Sequence, residues 1–366
     1  MRYTLLIATQ DKAGLVYQVS GVLYEAGANI ERQDEYVDRD NKLFFMRTSF
    51  VLDSCVCHTE ALAEVSPNNL CHTEGNARSI SNTLESRDIS PTAQNDKDLD
   101  SSLPTKVQND NGLDLNSKKY CHDFVTSKEV AKSRNDDAKT LESTLITKIQ
   151  HKLESILPCG ASIALKREAK KSLVILATKE NHCLGDLLLR QESGELNAQI
   201  KAVIANRNDL ASLVERFNIP FFWVDSDGVS REAHEARLRE IIDKFSPDLL
   251  ALAKYMRILS PEFVEAYAGR IINIHHSFLP AFVGANPYKQ AHKRGVKIIG
   301  ATAHFVTNAL DEGPIIAQDI IHINHTYSWR DMQKAGRDVE KAVFAHALDL
   351  VLNDRVFVSG NKTIVF

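Results

Sequence analysis

The sequence predicts an α/β protein in two parts: a small βαββαβ unit of the ferredoxin-like kind, then an open, mostly parallel α/β sheet. Three observations carry this. The first fifty residues read strand, helix, strand, strand. A polar stretch with no aromatic residue between Phe50 and Tyr120 interrupts them, and a helical pattern resumes near residue 139. From Lys170 onward, short apolar runs alternate with helical patterns, the rhythm of a parallel sheet covered on both faces. A length of 366 residues exceeds one ordinary core. The expected domains are 1–166 and 170–366.

In the first part, Tyr3 to Ala8 is apolar enough for a buried strand. Asp11-Lys-Ala-Gly14 turns into Leu15, Val16, Val19, Val22 and Leu23, whose spacing gives one face of a helix ending at Gly27. Ile30 to Val37 and Leu43 to Leu52 are the next strands, with a hairpin turn at Asp38–Lys42. About 54–138 is rich in Ser, Asn, Asp and Thr, cannot bury enough apolar surface to offset its ordering entropy, and is expected to be a disordered insertion. Leu141, Leu145, Ile149, Leu153 and Ile156 form the second helix face, and Ala161 to Leu165 the last strand. The unit is the split βαβ sandwich, a type that associates through sheet edges or helices, so a homo-oligomer is expected.

Composition narrows the function. With 43% apolar and 25% charged residues and a net charge of −4, the chain reads as a soluble protein without a basic field for nucleic acid. No apolar run reaches membrane-spanning length and the N-terminus has no signal-peptide pattern, so a cytoplasmic location is expected. The six cysteines are expected to be reduced thiols. Cys55, Cys57 and His58 would need further ligands to hold zinc, no histidine–carboxylate group has metal-ligand spacing, and no metal is expected.

In the second part, strands are expected at 173–177, 200–204, 221–224, 249–252 and 271–274, with helices from Cys183, Leu210 and Arg231. Ligands of such sheets lie at the carboxyl ends of the strands, and Asn273 and His275 fall at one. Two positions apart on a strand, they share a face, while His276 faces away. Asp311 follows 38 residues after Asn273, on a turn closed by Gly313-Pro314. An amide donor, a titratable ring and a carboxylate can polarise a carbonyl and move protons around it. The same spacing is also met by a hydrogen-bonded turn, and Asp-Glu-Gly-Pro is ordinary turn chemistry.

Asn273-Ile-His-x-Ser-x-Leu-Pro280, then Gly300-x-Thr-x-His-Phe-Val306 and Leu310-Asp-x-Gly-Pro-Ile-Ile316, resemble the folate-dependent formyltransferase family over about residues 170–320. The resemblance implies a formyltransferase-type catalytic domain in which Asn273, His275 and Asp311 surround the formyl carbon of 10-formyltetrahydrofolate. It implies folate contacts from Met256, Arg257, Ile258, Leu259, His304, Val306 and Thr307, and no cofactor beyond the folate substrate. Asn273 and His275 would stabilise the oxyanion, and Asp311 would hold the histidine and shuttle protons.

The family divides by acceptor. Thr178-Lys-Glu-Asn-His-Cys-Leu184 stands where transferases to glycinamide ribonucleotide have a Gly-rich phosphate loop; it has no glycine and carries a glutamate, poor chemistry for a phosphate. The second histidine at 276, the stretch Ala281–Gln290 and Asn181-His-Cys-Leu184 resemble the hydrolytic branch, in which water is the acceptor and formate the product. Transfer to a small amine such as glycinamide ribonucleotide is the alternative. That branch carries an ACT domain in front, and Thr9–Leu15 with Gly27-Ala-Asn-Ile30 resembles one. A regulatory amino acid, such as methionine or glycine, would then bind near Asp11, Gly14, Leu15 and Asn29.

Overall fold

A computed structural model describes residues 1–52, 126–281 and 286–366. Two compact units divide the chain: residues 1–56 with 144–366, and residues 57–143. Most of the expected insertion, and Cys55, Cys57 and His58 within it, lies outside the described residues. Its last part does not: residues 126–138 are helical rather than unstructured.

The N-terminal elements are β1 (Arg2–Gln10), α1 (Leu15–Glu25), β2 (Ala28–Asp38), β3 (Leu43–Leu52), α2 (Thr126–Ile156) and β4 (Ser162–Arg167). They form an antiparallel sheet of order β2-β3-β1-β4, which is the βαββαβ order. Gly14 enters α1 at φ 89°, a conformation that costs glycine little. Leu15, Val19, Val22 and Leu23 of α1 and Ile149 and Leu153 of α2 close one core over Leu5, Ile7, Met46 and Phe50.

Seven strands make the second sheet: β5 (Lys171–Ala177), β6 (Ala198–Ala205), β7 (Phe221–Trp223), β8 (Leu249–Ala253), β9 (Ile271–His275), β10 (Ile298–Phe305) and β11 (Ile315–His322). Their order is β11-β10-β9-β8-β5-β6-β7. Strands β7 to β9 through β5 run parallel, while β10 opposes β9 and β11 opposes β10. After β7 the chain crosses to the other side of β5, making a switch point between β5 and β8, where ligands of open α/β sheets bind.

The helices are α3 (His182–Glu192), α4 (Ala211–Glu215), α5 (Arg231–Phe245), α6 (Pro261–Ala266), α7 (Pro287–Arg294) and α8 (Trp329–Leu352), followed by the hairpin β12 (Val356–Ser359) and β13 (Lys362–Val365). One core packs Leu184, Leu187 and Leu188 of α3 and Val343, Phe344 and Leu348 of α8 on one sheet face. Leu238 and Ile242 of α5 and Phe263 of α6 cover Val174, Leu176 and Leu252 on the other. The helix α8 and its hairpin go beyond the sequence expectation. A reciprocal Ser328–Asp331 capping box starts α8. Its end is tied to the N-terminal sheet: the Arg47 guanidinium donates to the carbonyls of Asn353 (3.0 Å) and Asp354 (2.9 Å), and Phe45 packs edge-on against Phe357. A cation on the last carbonyls of a helix suits its dipole. None of the described helices is long and apolar enough to cross a membrane.

Candidate active site

The end of β9 presents Asn273 and His275, and the antiparallel register of β10 sets His304 opposite Asn273. Beyond β10 the chain bends back so that Phe305 N–H donates to Pro314 O (2.9 Å). A Cβ at Gly313 would lie 1.8 Å from the Phe305 carbonyl oxygen, so only glycine allows this close return. The bend puts Asp311, at φ 56°, over the end of β9. Its Oδ1 lies 3.2 Å from His275 Nδ1 and 3.7 Å from His304 Nε2.

Hydrogen bonding fixes the tautomers. The Phe305 carbonyl only accepts, so His304 Nδ1–H donates to it at 2.9 Å. Burial, the largest influence, holds the His304 ring below the usual imidazole range. In the neutral ring Nε2 is an acceptor, and it receives one N–H of the Asn273 amide at 3.3 Å. The amide is thereby oriented and retains a second N–H. The Asp311 carboxylate likewise requires the proton of His275 on Nδ1, which turns Nε2 the other way. That Nε2 is buried and has no hydrogen-bond partner among the described residues, a condition that costs about 1–3 kcal/mol and asks for a ligand. Burial opposes ionisation of Asp311, yet the hydrogen bond from His275 counters it. The carboxyl stays below the usual carboxylate range.

The three groups border one cavity of about 620 Å³ that spans the switch point. The seven residues expected to hold folate, at 256–259, 304, 306 and 307, line the same cavity. Residues 256–260 are held at both ends. Thr178 Oγ1 at the end of β5 accepts the Met256 N–H (3.0 Å), and the buried Glu235 carboxylate accepts the Ser260 N–H (2.8 Å). Met256, Ile258 and Leu310 are more than half exposed there, at 59%, 60% and 56%.

Another part of the lining is charged; His182 and Tyr288 fall in stretches the sequence had marked, while Lys254 and Glu340 were missed. Glu340 of α8 is buried, with Oε2 at 2.8 Å from His182 Nε2 and 3.1 Å from Lys254 Nζ, while Oε1 accepts from Tyr288 OH at 2.6 Å. Burial pulls against ionisation of Glu340, but His182, Lys254 and Tyr288 hold its pKa down at about 2. Lys254 takes φ 61° at the end of β8, an uncommon conformation for lysine. His276, expected to face away, instead lines the same cavity because the strand ends at His275, its ring 5.3 Å from that of His275 and 6.1 Å from that of Tyr288. Burial, then the Lys254 charge, lower its pKa to about 4.

His182, Cys183 and Glu340 bring potential metal-binding atoms within 4.8 Å of one another; His182 and Glu340 are 158 residues apart, which hides the group from sequence spacing. The carboxylate is already fully engaged and burial pushes the Cys183 thiol up, keeping it protonated. The partners that engage Glu340 are His182, Lys254 and Tyr288.

At the N-terminal sheet, Asp11, Gly14 and Leu15 line a second cavity of about 290 Å³ with Glu35, Tyr36 and Phe44. Asn29 does not join them. It pairs with Val51 at the start of β2, six residues from Glu35, about 20 Å along an extended strand. Residues 282–285, within the stretch Ala281–Gln290, lie outside the described residues.

Residues 171–348 match the formyl transferase family. Formyltetrahydrofolate deformylase of Escherichia coli O6:H1 is 57% identical over 213 residues, covering 58% of this chain and 76% of that protein. The Bacillus subtilis protein of the same name is 49% identical over 205 residues, 56% of this chain and 68% of that one. A formyltetrahydrofolate deformylase crystal structure from Pseudomonas syringae pv. tomato covers 100% of this chain and 95% of its own, with a TM-score of 0.70 and 33% identity. Glycinamide ribonucleotide transformylase 1 of Symbiobacterium toebii covers 55% of this chain and 96% of its own, at TM-score 0.53 and 28% identity.

Proposed function

This chain belongs to the formyltetrahydrofolate deformylase family, and on that premise we propose that it hydrolyses 10-formyltetrahydrofolate to formate and tetrahydrofolate. The observation that carries the reading is the pair of directed, unfilled polar groups. Asn273 keeps one N–H beyond the one given to His304, and His275, fixed through Nδ1 by Asp311, turns a buried unpartnered Nε2 toward the same cavity. Set around a formyl oxygen, the Asn273 N–H and the imidazolium Nε2–H stabilise the charge that develops as water attacks, each such donor being worth about 3–4 kcal/mol in the transition state. The Asp311–His275 pair takes the proton of that water and returns one to the leaving folate nitrogen. The apolar wall at 256–259 and 306–310 suits the flat pterin ring. On the charged wall Glu180 borders the loop and the Glu340 carboxylate already engages three neighbours; this favours water over glycinamide ribonucleotide.

Incubation of the purified chain with 10-formyltetrahydrofolate and no added amine tests the reading. Stoichiometric formate and tetrahydrofolate are expected; substrate consumed only when an amine is supplied would refute hydrolysis.

The N-terminal unit we take as an ACT domain that binds a regulatory amino acid in the cavity of Asp11, Gly14 and Leu15 and pairs with further copies of itself. Calorimetric titration of the whole chain with methionine or glycine should give saturable binding. A flat titration at millimolar amino acid removes the regulator.

A further inference from the structure

The cavity has two walls, and the reading above uses one of them. With folate against residues 256–259 and 306–310 and the formyl carbon at the catalytic trio, the nucleophile must arrive from the side of α3, α7 and α8. Glu340, Lys254, His182 and Tyr288 stand there. Tyr288 is fitted to α8: a Cβ at Gly336, one turn before Glu340, would lie 2.1 Å from the Tyr288 hydroxyl. The two Glu340 oxygens take all three neighbours, leaving this carboxylate neither base nor anion for an incoming group.

We propose that the Lys254–Glu340 pair, braced by His182 and Tyr288, selects the nucleophile: it admits water to the formyl carbon and turns amines away. The proposal rests on the hydrolytic reading and deepens it. Amines of ordinary basicity reach a protein as ammonium ions, and the cavity they would enter is lined by the fixed ammonium of Lys254, whose carboxylate partner Glu340 is already bonded to three neighbours. Neutral amines meet the tyrosine and histidine rings packed around Glu340. Water is neutral and small enough to pass. The left-handed backbone at Lys254 supports a functional origin, since strain of this kind costs about 1–3 kcal/mol and concentrates at working sites. In both reactions the bond between the formyl carbon and the folate nitrogen breaks. Water gives formate and returns a proton to that nitrogen. Hydroxylamine gives formohydroxamate, with the amine proton passing to the same nitrogen, and no electrons change hands.

The test measures partition. Wild-type enzyme, the double variant Lys254→Gly/Glu340→Gln and the isosteric single variant Glu340→Gln each receive 10-formyltetrahydrofolate with and without hydroxylamine near neutral pH, and formate and formohydroxamate are quantified together. The double variant leaves no unpaired buried charge and gives position 254 the residue that suits its backbone. Wild-type enzyme is expected to yield formate alone, and the double variant to raise the hydroxamate-to-formate ratio at least tenfold, with the single variant between. Three outcomes overturn the proposal: an unchanged ratio in variants that still turn over, wild-type enzyme forming hydroxamate as readily as formate, or all variants losing both products together, since the cluster would then support the chemistry rather than choose its acceptor. Absence of formate from wild-type enzyme would instead refute the hydrolytic reading itself.

Discussion

The two walls of the cavity invert the usual distribution of residues in opposite ways. On one, Met256, Ile258 and Leu310 stand more than half exposed; on the other, Lys254 and Glu340 are buried at 7% and 1%. Exposed apolar surface is stabilised when something flat and apolar covers it. Buried charge persists only where partners saturate it, as His182, Lys254 and Tyr288 saturate Glu340. The first wall is built to be covered and the second to stay as it is. The trio stands between them, its Asn273 and His275 groups incompletely paired.

The largest effect expected from breaking this arrangement is at Asp311. Asn tolerates the positive φ of this position, so Asp311→Asn should keep the turn and lose the charge. Its kcat is expected to fall about 10³- to 10⁴-fold with folate binding nearly unchanged; turnover within tenfold of wild type would remove the carboxylate from the mechanism. Asn273→Ala deletes one donor and should lower kcat by about 10²- to 10³-fold, read by steady-state formate release, with a change confined to KM counting against an oxyanion role. Gly313→Ala forces the Asp311 turn away from the Phe305 carbonyl. A displacement near 1 Å costs on the order of 10²-fold, so kcat should drop although no catalytic side chain is altered, and wild-type rates would show that the turn relaxes elsewhere.

The charged wall also predicts an acid response. His276 is held near 4 in the folded chain, against about 6.5 when unfolded. The unfolded chain therefore binds more protons between those values, and this contribution is whole above pH about 6.5 and declines as pH falls toward 4. Urea unfolding should register roughly 2–3 kcal/mol less stability at pH 4.5 than at pH 7 from this ring. His276→Gln should recover most of that difference, and an undiminished loss in the variant would assign it elsewhere. The smallest effect belongs to the apolar wall. Ile258→Ala should raise KM about tenfold, the equivalent of ~1.4 kcal/mol of lost apolar contact, with kcat unmoved; a fall in kcat instead would give Ile258 a part in positioning the formyl group.

The period of the apolar residues announced both sheets. The run of β5 and the 3–4 spacing of α1 each reflect burial, and burial is written locally in the chain. Asn273 and His275 were legible because alternation on a strand fixes which side chains share a face, and Asp311 because its turn carries Gly313. The start of α2 was misjudged where composition argued for disorder, since helix propensity is also local and opposed it. Asn29 lies at the start of β2, away from the end that meets the loop at Asp11, a distance along the strand that the motif does not show. Of the wall of Glu340, Lys254, His182 and Tyr288, only His182 and Tyr288 lay in marked motifs; Glu340 and Lys254 gave no signal, the members coming from α8, the residue after β8, α3 and α7.

By itself, then, the sequence determined the N-terminal βαββαβ order, the parallel strands of the second sheet, the separate components of the trio and, through its motifs, the resemblance to folate chemistry. The tertiary structure alone decided that Asp311 reaches His275, that His304 orients the Asn273 amide, and that a lysine and a glutamate meet under cover of two helices. The reason is physical: local propensity and periodicity act over a turn or a pleat, whereas electrostatic pairing depends on distances that exist only once the sheet has ordered its strands.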